Sequence, residues 1–184
     1  GVFVQGSRHN GTIWRSTDNG VSFERWCDTP STSASGHQYS GSVGFGVLGD
    51  GTLLAAVLLA NATQVRIYRA HYDETTRECN WEDNWKALPS LLPGHSFASS
   101  SVGRFEDLGG GHVLFPLTAH EEAANGGLSY GLLYETTDGL SWVKRGMIGR
   151  FRSDIDVLPL ESTDAAVRSS LIATARYQTT SGSS

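Results

Sequence analysis

One hairpin near the end of this 184-residue chain sets opposite charges at a single edge. Ser153-Asp154-Ile155-Asp156 leads into an apolar strand over Ile155 to Leu160, and the strand from Ser170 ends at Ala175-Arg176-Tyr177. A hairpin brings the start of its first strand beside the end of its second, so Asp154, Asp156 and Arg176 meet. A guanidinium placed there can clamp a ligand carboxylate through two parallel N–H donors, or pair structurally with Asp154 or Asp156. Corresponding edges fall at Thr118-Ala119-His120-Glu121 with Ser99 to Arg104, and at His37 to Ser40 with Ala60-Asn61. His120 therefore joins the candidate binding residues. The six histidines show no His-x-x-x-His spacing, and neither a metal nor a cofactor is expected. The Glu106-Asp107 pair precedes a glycine turn at the opposite end of its hairpin and reads as turn chemistry.

The elements that position these residues are short strands. Two glycine turns, Gly49-Asp50-Gly51 and Gly109-Gly110-Gly111, lead into apolar strands at Thr52 to Leu59 and His112 to Leu117, and a third such strand begins at Ser170. Their starts recur at roughly 60-residue intervals, somewhat above the usual length of a propeller repeat. Each is preceded by a partner strand, at Ser42 to Leu48, Val102 to Leu108 and Ile155 to Leu160. Two more strands close each unit: Gly11 to Arg15 with Phe23 to Trp26, Val65 to Ala70 with Trp85 to Leu88, and Leu132 to Glu135 with Trp142 to Arg145. With 22 Gly and 10% aromatic residues, the fold class is all-β, built from four-stranded antiparallel units whose boundaries fall near residues 30, 94 and 150.

Between the last two strands of the first unit lies Ser16-Thr17-Asp18-Asn19-Gly20-Val21-Ser22-Phe23, and the third unit has Thr136-Thr137-Asp138-Gly139-Leu140-Ser141-Trp142, one residue shorter. In such a turn the Asp accepts from nearby backbone amides, the Gly takes the left-handed conformation, and the aromatic residue packs beneath. The second unit, over His71 to Trp81, keeps Asp73 and Trp81 without the motif. Over nearly its whole length the chain resembles the Asp-box β-propellers of the sialidase superfamily. By that resemblance Ser16, Asp18, Gly20, Phe23, Thr136, Asp138, Gly139 and Trp142 have structural work on the outer rim, although the two aspartates look catalytic by type.

The resemblance implies a six-bladed ring of which about three blades are present. Residues 1–184 would then be either a portion of a longer propeller or a unit whose copies complete one another's ring. It further implies a site near the central axis, where an Arg triad holds the sialic acid carboxylate; Arg176 falls at one triad position, and Asp154 at a position the family fills with Glu. The family's acid/base Asp would lie in the loop Gly6-Ser7-Arg8-His9-Asn10-Gly11, which holds no carboxylate. Tyr177 follows Arg176 directly in a strand and so points away from it, which makes it a poor nucleophile. The implied function is exo-hydrolysis of terminal sugars of glycans; the alternative is a non-catalytic glycan-binding or protein-interaction propeller. A net charge of -5 gives no basic stripe for nucleic acid. The longest apolar stretch, Leu53 to Ala60, is far below the roughly 20 residues of a membrane span, so neither nucleic acid nor membrane is an expected partner. Cys27 and Cys79 leave open one bridge or two free thiols, and the glycan reading favours secretion.

Overall fold

The computed structural model describes residues 3–6, 12–30, 39–59, 64–84, 86–97, 103–121, 129–151, 155–159 and 171–175. No helix occurs among them; the elements are strands in four sheets that follow one another along the chain. Sheet 1 holds β1 (Phe3–Gly6), β2 (Thr12–Ser16) and β3 (Glu24–Asp28) in that order. Sheet 2 runs β4 (Tyr39–Val47), β5 (Leu53–Leu59), β6 (Val65–Asp73) and β7 (Glu78–Trp81), with β8 (Lys86–Ala87) also on β6. Sheet 3 is built on β12 (His112–Glu121), β13 (Ser129–Thr136) and β14 (Val143–Phe151). Its leading edge is shared by β9 (His95–Phe97) and β11 (Glu106–Gly109), both antiparallel to β12. Sheet 4 is the hairpin β15 (Ile155–Pro159) with β16 (Leu171–Ala175). The all-β class is the one expected from the sequence, whereas the four-stranded units are not reproduced: β8 joins β7 on β6, Gly103–Arg104 joins β4, and β9 joins β11 on β12. Sheets 2 and 3 therefore hold six and five strands, and none of the four sheets closes on itself among the described residues.

Two expected strands take a different course. The leading strand of sheet 3, expected over Val102 to Leu108, is interrupted at Phe105. Gly103–Arg104 (β10) pairs instead with β4, in parallel, opposite Gly44 and Phe45. The cause is Phe105 itself, which turns into the core and stacks on Phe115 with ring centroids 4.1 Å apart. In sheet 2 the fourth strand, expected over Trp85 to Leu88, is reduced among the described residues to β8, and within the segment His71 to Trp81 β6 runs on to Asp73 and folds back as β7. That tight turn is set by the Asp73 carboxylate, which accepts from the backbone amides of Thr75 (2.7 Å) and Thr76 (3.3 Å).

The sheets stack because the strands of sheet 2 bury both faces. Leu54, Ala56 and Leu58 of β5 and Val65 and Ile67 of β6 enter a core shared with Phe97, Phe115, Leu117, Leu132, Tyr134 and Trp142 of sheet 3. On the opposite face Leu53 and Ala70 pack with Ile13, Trp26 and Cys27 of sheet 1. Period-two alternation thus sends each strand's side chains to two different neighbours, and every fully buried Leu or Phe contributes about 1.5–3 kcal/mol. The smaller seam, between sheets 1 and 2, is reinforced by polar and covalent links. Cys27 and Cys79 form a disulfide from β3 to β7, and the Trp81 indole N–H donates to the Asp28 carbonyl at 2.8 Å. Arg15 reaches Glu24 (2.9 Å) on its own sheet and Glu74 (3.1 Å) on the next, its guanidinium lying 5.3 Å from the Trp26 ring centroid and 5.1 Å from that of Tyr72. The glycine turns that open β5 and β12 are also tied together: Asp107 accepts from Gly109 N at 2.8 Å and from Gly49 N at 2.6 Å, the turn chemistry expected for this residue.

Candidate functional site

The two Asp-box segments close the β2–β3 and β13–β14 hairpins, each with its Asp carboxylate accepting from amides and hydroxyls of its own turn. In the first, Asp18 Oδ1 accepts from the Ser22 amide (2.9 Å) and the Ser16 hydroxyl (2.7 Å), and Oδ2 accepts from the Ser22 hydroxyl (2.6 Å). Asn19 and Gly20 supply the left-handed backbone, with φ of 61° and 86°. In the second, Asp138 Oδ1 accepts from the amides of Leu140 and Ser141, both at 2.7 Å, and from the Thr136 hydroxyl at 2.8 Å, with Gly139 at φ 68°. These donors favour the charged carboxylate. The Ser22 hydroxyl and amide, then Ser16, pull Asp18 down to about 2, and the amides of Ser141 and Leu140 hold Asp138 well below the carboxylate range. Neither can hold a proton for general-acid work near neutral pH. The aromatic position differs between the two turns. Trp142 is 7% exposed and packs edge-on to Phe105 and Phe115. Phe23, expected beneath its turn, is 42% exposed, and Trp26 fills the neighbouring core instead.

At the other end of sheet 3 the strands gather a polar group around His120. His120 lies opposite Ser129 and Ser96 in the register, and Glu121 opposite His95. The partner of this end of β12 is therefore β9, not Ser99 to Arg104 as the hairpin reading had it. The reason lies in packing: Phe97, across from Ala119, is the residue that fills the core here. The His120 Nδ1 and the Ser129 Oγ share a 2.6 Å hydrogen bond, and burial holds the imidazole below its ordinary value, so it is neutral at physiological pH. One residue on, the Tyr130 hydroxyl bonds His95 Nδ1 at 2.7 Å, the two rings meeting edge-on with centroids 5.5 Å apart. Burial and, secondarily, Glu121 raise the Tyr130 phenol above its usual value, so it stays protonated and neutral. His95, Tyr130, Glu121 and Lys144 open on a cleft of about 260 Å³ floored by Leu132 and Met147.

Of the other predicted binding residues, Asp154 and Arg176 lie outside the described residues. Asp156 lies on β15 opposite Thr174, and the adjacent pair Ile155 and Ala175 forms the end of that hairpin. No protein-family model and no curated protein matches this chain. Among the described residues no group of three His, Cys, Asp or Glu side chains could hold a metal ion. His95, Ser129, Tyr130 and Lys144 were not among the sequence candidates. Their meeting depends on the β9–β12 register, for which the signal was Phe97, an apolar residue in an otherwise polar stretch. The arrangement offers neutral hydroxyl and imidazole partners at one edge of an apolar floor, a combination suited to a ring with one polar and one apolar face.

Proposed function

We propose that this chain is a segment of an Asp-box β-propeller of the sialidase type, an exo-acting glycoside hydrolase that works on the terminal sugars of glycans. The observation that carries this reading is the recurrence of one turn: two Asp-boxes, in the first and third sheets, close the corresponding hairpin with matching carboxylate-to-amide bonds. The order of the sheets lends support. Leading strands of sheets 2, 3 and 4 neighbour one another, β10 bonded parallel to β4, and β15 against β10 and β11, as strands nearest a common axis would. In this reading Arg176 clamps the substrate carboxylate, Asp154 and Asp156 stand beside it, and His120 offers a neutral partner from the next sheet.

A second reading, a glycan-binding propeller without hydrolytic activity, is favoured by two features of the sequence. The Gly6-to-Gly11 loop holds no carboxylate for acid/base work, and Asp154 stands where the family has Glu. Turnover of a fluorogenic sialoside by the wild-type chain and by Arg176→Ala tests both. Hydrolysis is expected to fall by about a hundredfold in the variant, the loss of two charge-assisted hydrogen bonds. Binding without turnover supports the second reading, and turnover indifferent to the substitution removes Arg176 from the site.

A further inference from the structure

A second cleft, of about 450 Å³, opens at the seam between sheets 1 and 2, near the Asp-box end of β2 and β3 and away from the His120 end of the fold. Arg15, packed over Trp26 and Tyr72, forms one wall with its partners Glu24 and Glu74. The two carboxylates share the single charge of Arg15. Arg25, on the rim, is paired with Asp28. That leaves Arg77, which also lines the cleft and has no ion-pair partner among the described residues. Its backbone is left-handed, φ 58°, a conformation that glycine or asparagine adopts with less strain than arginine. The cleft wall also includes Trp26, which is 9% exposed and whose buried indole N–H has no hydrogen-bond partner among the described residues. Such unmet donors in native structures call for an acceptor.

The cleft lining therefore carries three guanidiniums against two carboxylates, with Arg77 outside every ion pair among the described residues and one unmet N–H donor beside it. The two carboxylates share Arg15 and keep oxygens that can accept from hydroxyls. We infer that this cleft binds an acidic saccharide, with its sulfate or carboxylate on Arg77 and its hydroxyls on the oxygens of Glu24 and Glu74. The proposal does not depend on the sialidase reading. A guanidinium suits a planar or tetrahedral oxyanion because its N–H donors come in a fixed fork, and the cleft has room for a sugar ring rather than a bare ion.

The test is titration of the ¹⁵N-labelled chain, with the Trp26 indole resonance identified among the five tryptophans by its loss in Trp26→Phe. Glucose 6-sulfate, glucose and inorganic sulfate are the probes. Saturable movement of the Trp26 indole signal by glucose 6-sulfate is expected, with glucose at least about tenfold weaker. Arg77→Gly should weaken binding by about tenfold or more while raising the melting temperature, because it relieves the backbone. A merely structural arginine would give the second effect without the first. The proposal is overturned if glucose 6-sulfate leaves the indole signal unmoved, if Arg77→Gly binds as well as wild type, or if inorganic sulfate binds as tightly as the sugar sulfate.

Discussion

Asp18 and Asp138 show how local chemistry decides a residue's work. Each is exposed, yet each spends its carboxylate on the backbone and hydroxyl donors of its own turn. Their folded-state pKa values are depressed below the ordinary value of about 3.9, so the stability they contribute is present above that value and is lost progressively as pH falls below it, for Asp18 through about 2. Asp18→Asn and Asp138→Asn are accordingly expected to unfold at lower urea concentration at pH 7, and to lose less stability than wild type between pH 4 and pH 2. Parallel pH profiles for wild type and variants would rule this out. Glycines separate in the same way by surroundings. An added Cβ at Gly46 would stand 2.6 Å from the Phe105 Cβ, so Gly46→Ala should cost about 1–3 kcal/mol by overpacking. At Gly20 the space is open and φ is +86°, so Gly20→Ala should cost only the backbone term, about 1 kcal/mol; urea denaturation of the pair measures the difference. The turn bonds were legible in the sequence because they close within a few residues. The fates of Phe23 and Trp142 were not, because identical positions in two turns meet different neighbours: Trp142 finds Phe105 and Phe115, and Phe23 remains half exposed.

At the scale of elements, strand positions were readable where apolar runs follow glycine turns, as in β5 and β12, and where aromatic and β-branched residues alternate, as in β6. What the sequence did not show was which strand pairs with the end of β12. Phe97 and Phe105 both seek the core, and the chain satisfies both by dividing the leading strand into β9 and β11 with β10 lent to β4. The His95–Tyr130 bond, spanning 35 residues, follows from that division and was hidden with it. The cysteines were similarly ambiguous until β3 and β7 were seen side by side. Their bridge closes a separation of 52 residues, which in the chain-entropy picture is worth about 4 kcal/mol. The double variant Cys27→Ala/Cys79→Ala is expected to lose about that much in urea denaturation, and reducing agent should have the same effect on wild type; an unchanged midpoint would mean that the Ile13–Trp26–Leu53 core and the Arg15 ion pairs hold the seam alone. Such a bridge persists in an oxidising compartment.

Over the whole molecule, four antiparallel sheets follow the chain in order, and sheet 2 gives its two faces to different neighbours, so the core is divided into two seams and not gathered at one centre. This division was implicit in the all-apolar run of β5, which has no polar face to show to solvent. Two clefts of different character open on it: an apolar floor rimmed by His95, Tyr130, Glu121 and Lys144 on sheet 3, and a guanidinium-rich slot between sheets 1 and 2. The central proposal is that such a scaffold serves terminal acidic sugars through Arg176. Calorimetric titration with sialyllactose and with lactose tests it most directly. Sialyllactose is expected to bind, lactose to bind at least about tenfold more weakly, and Arg176→Ala to remove the preference between them. Equal affinity for the two sugars, or heat from neither, would contradict it.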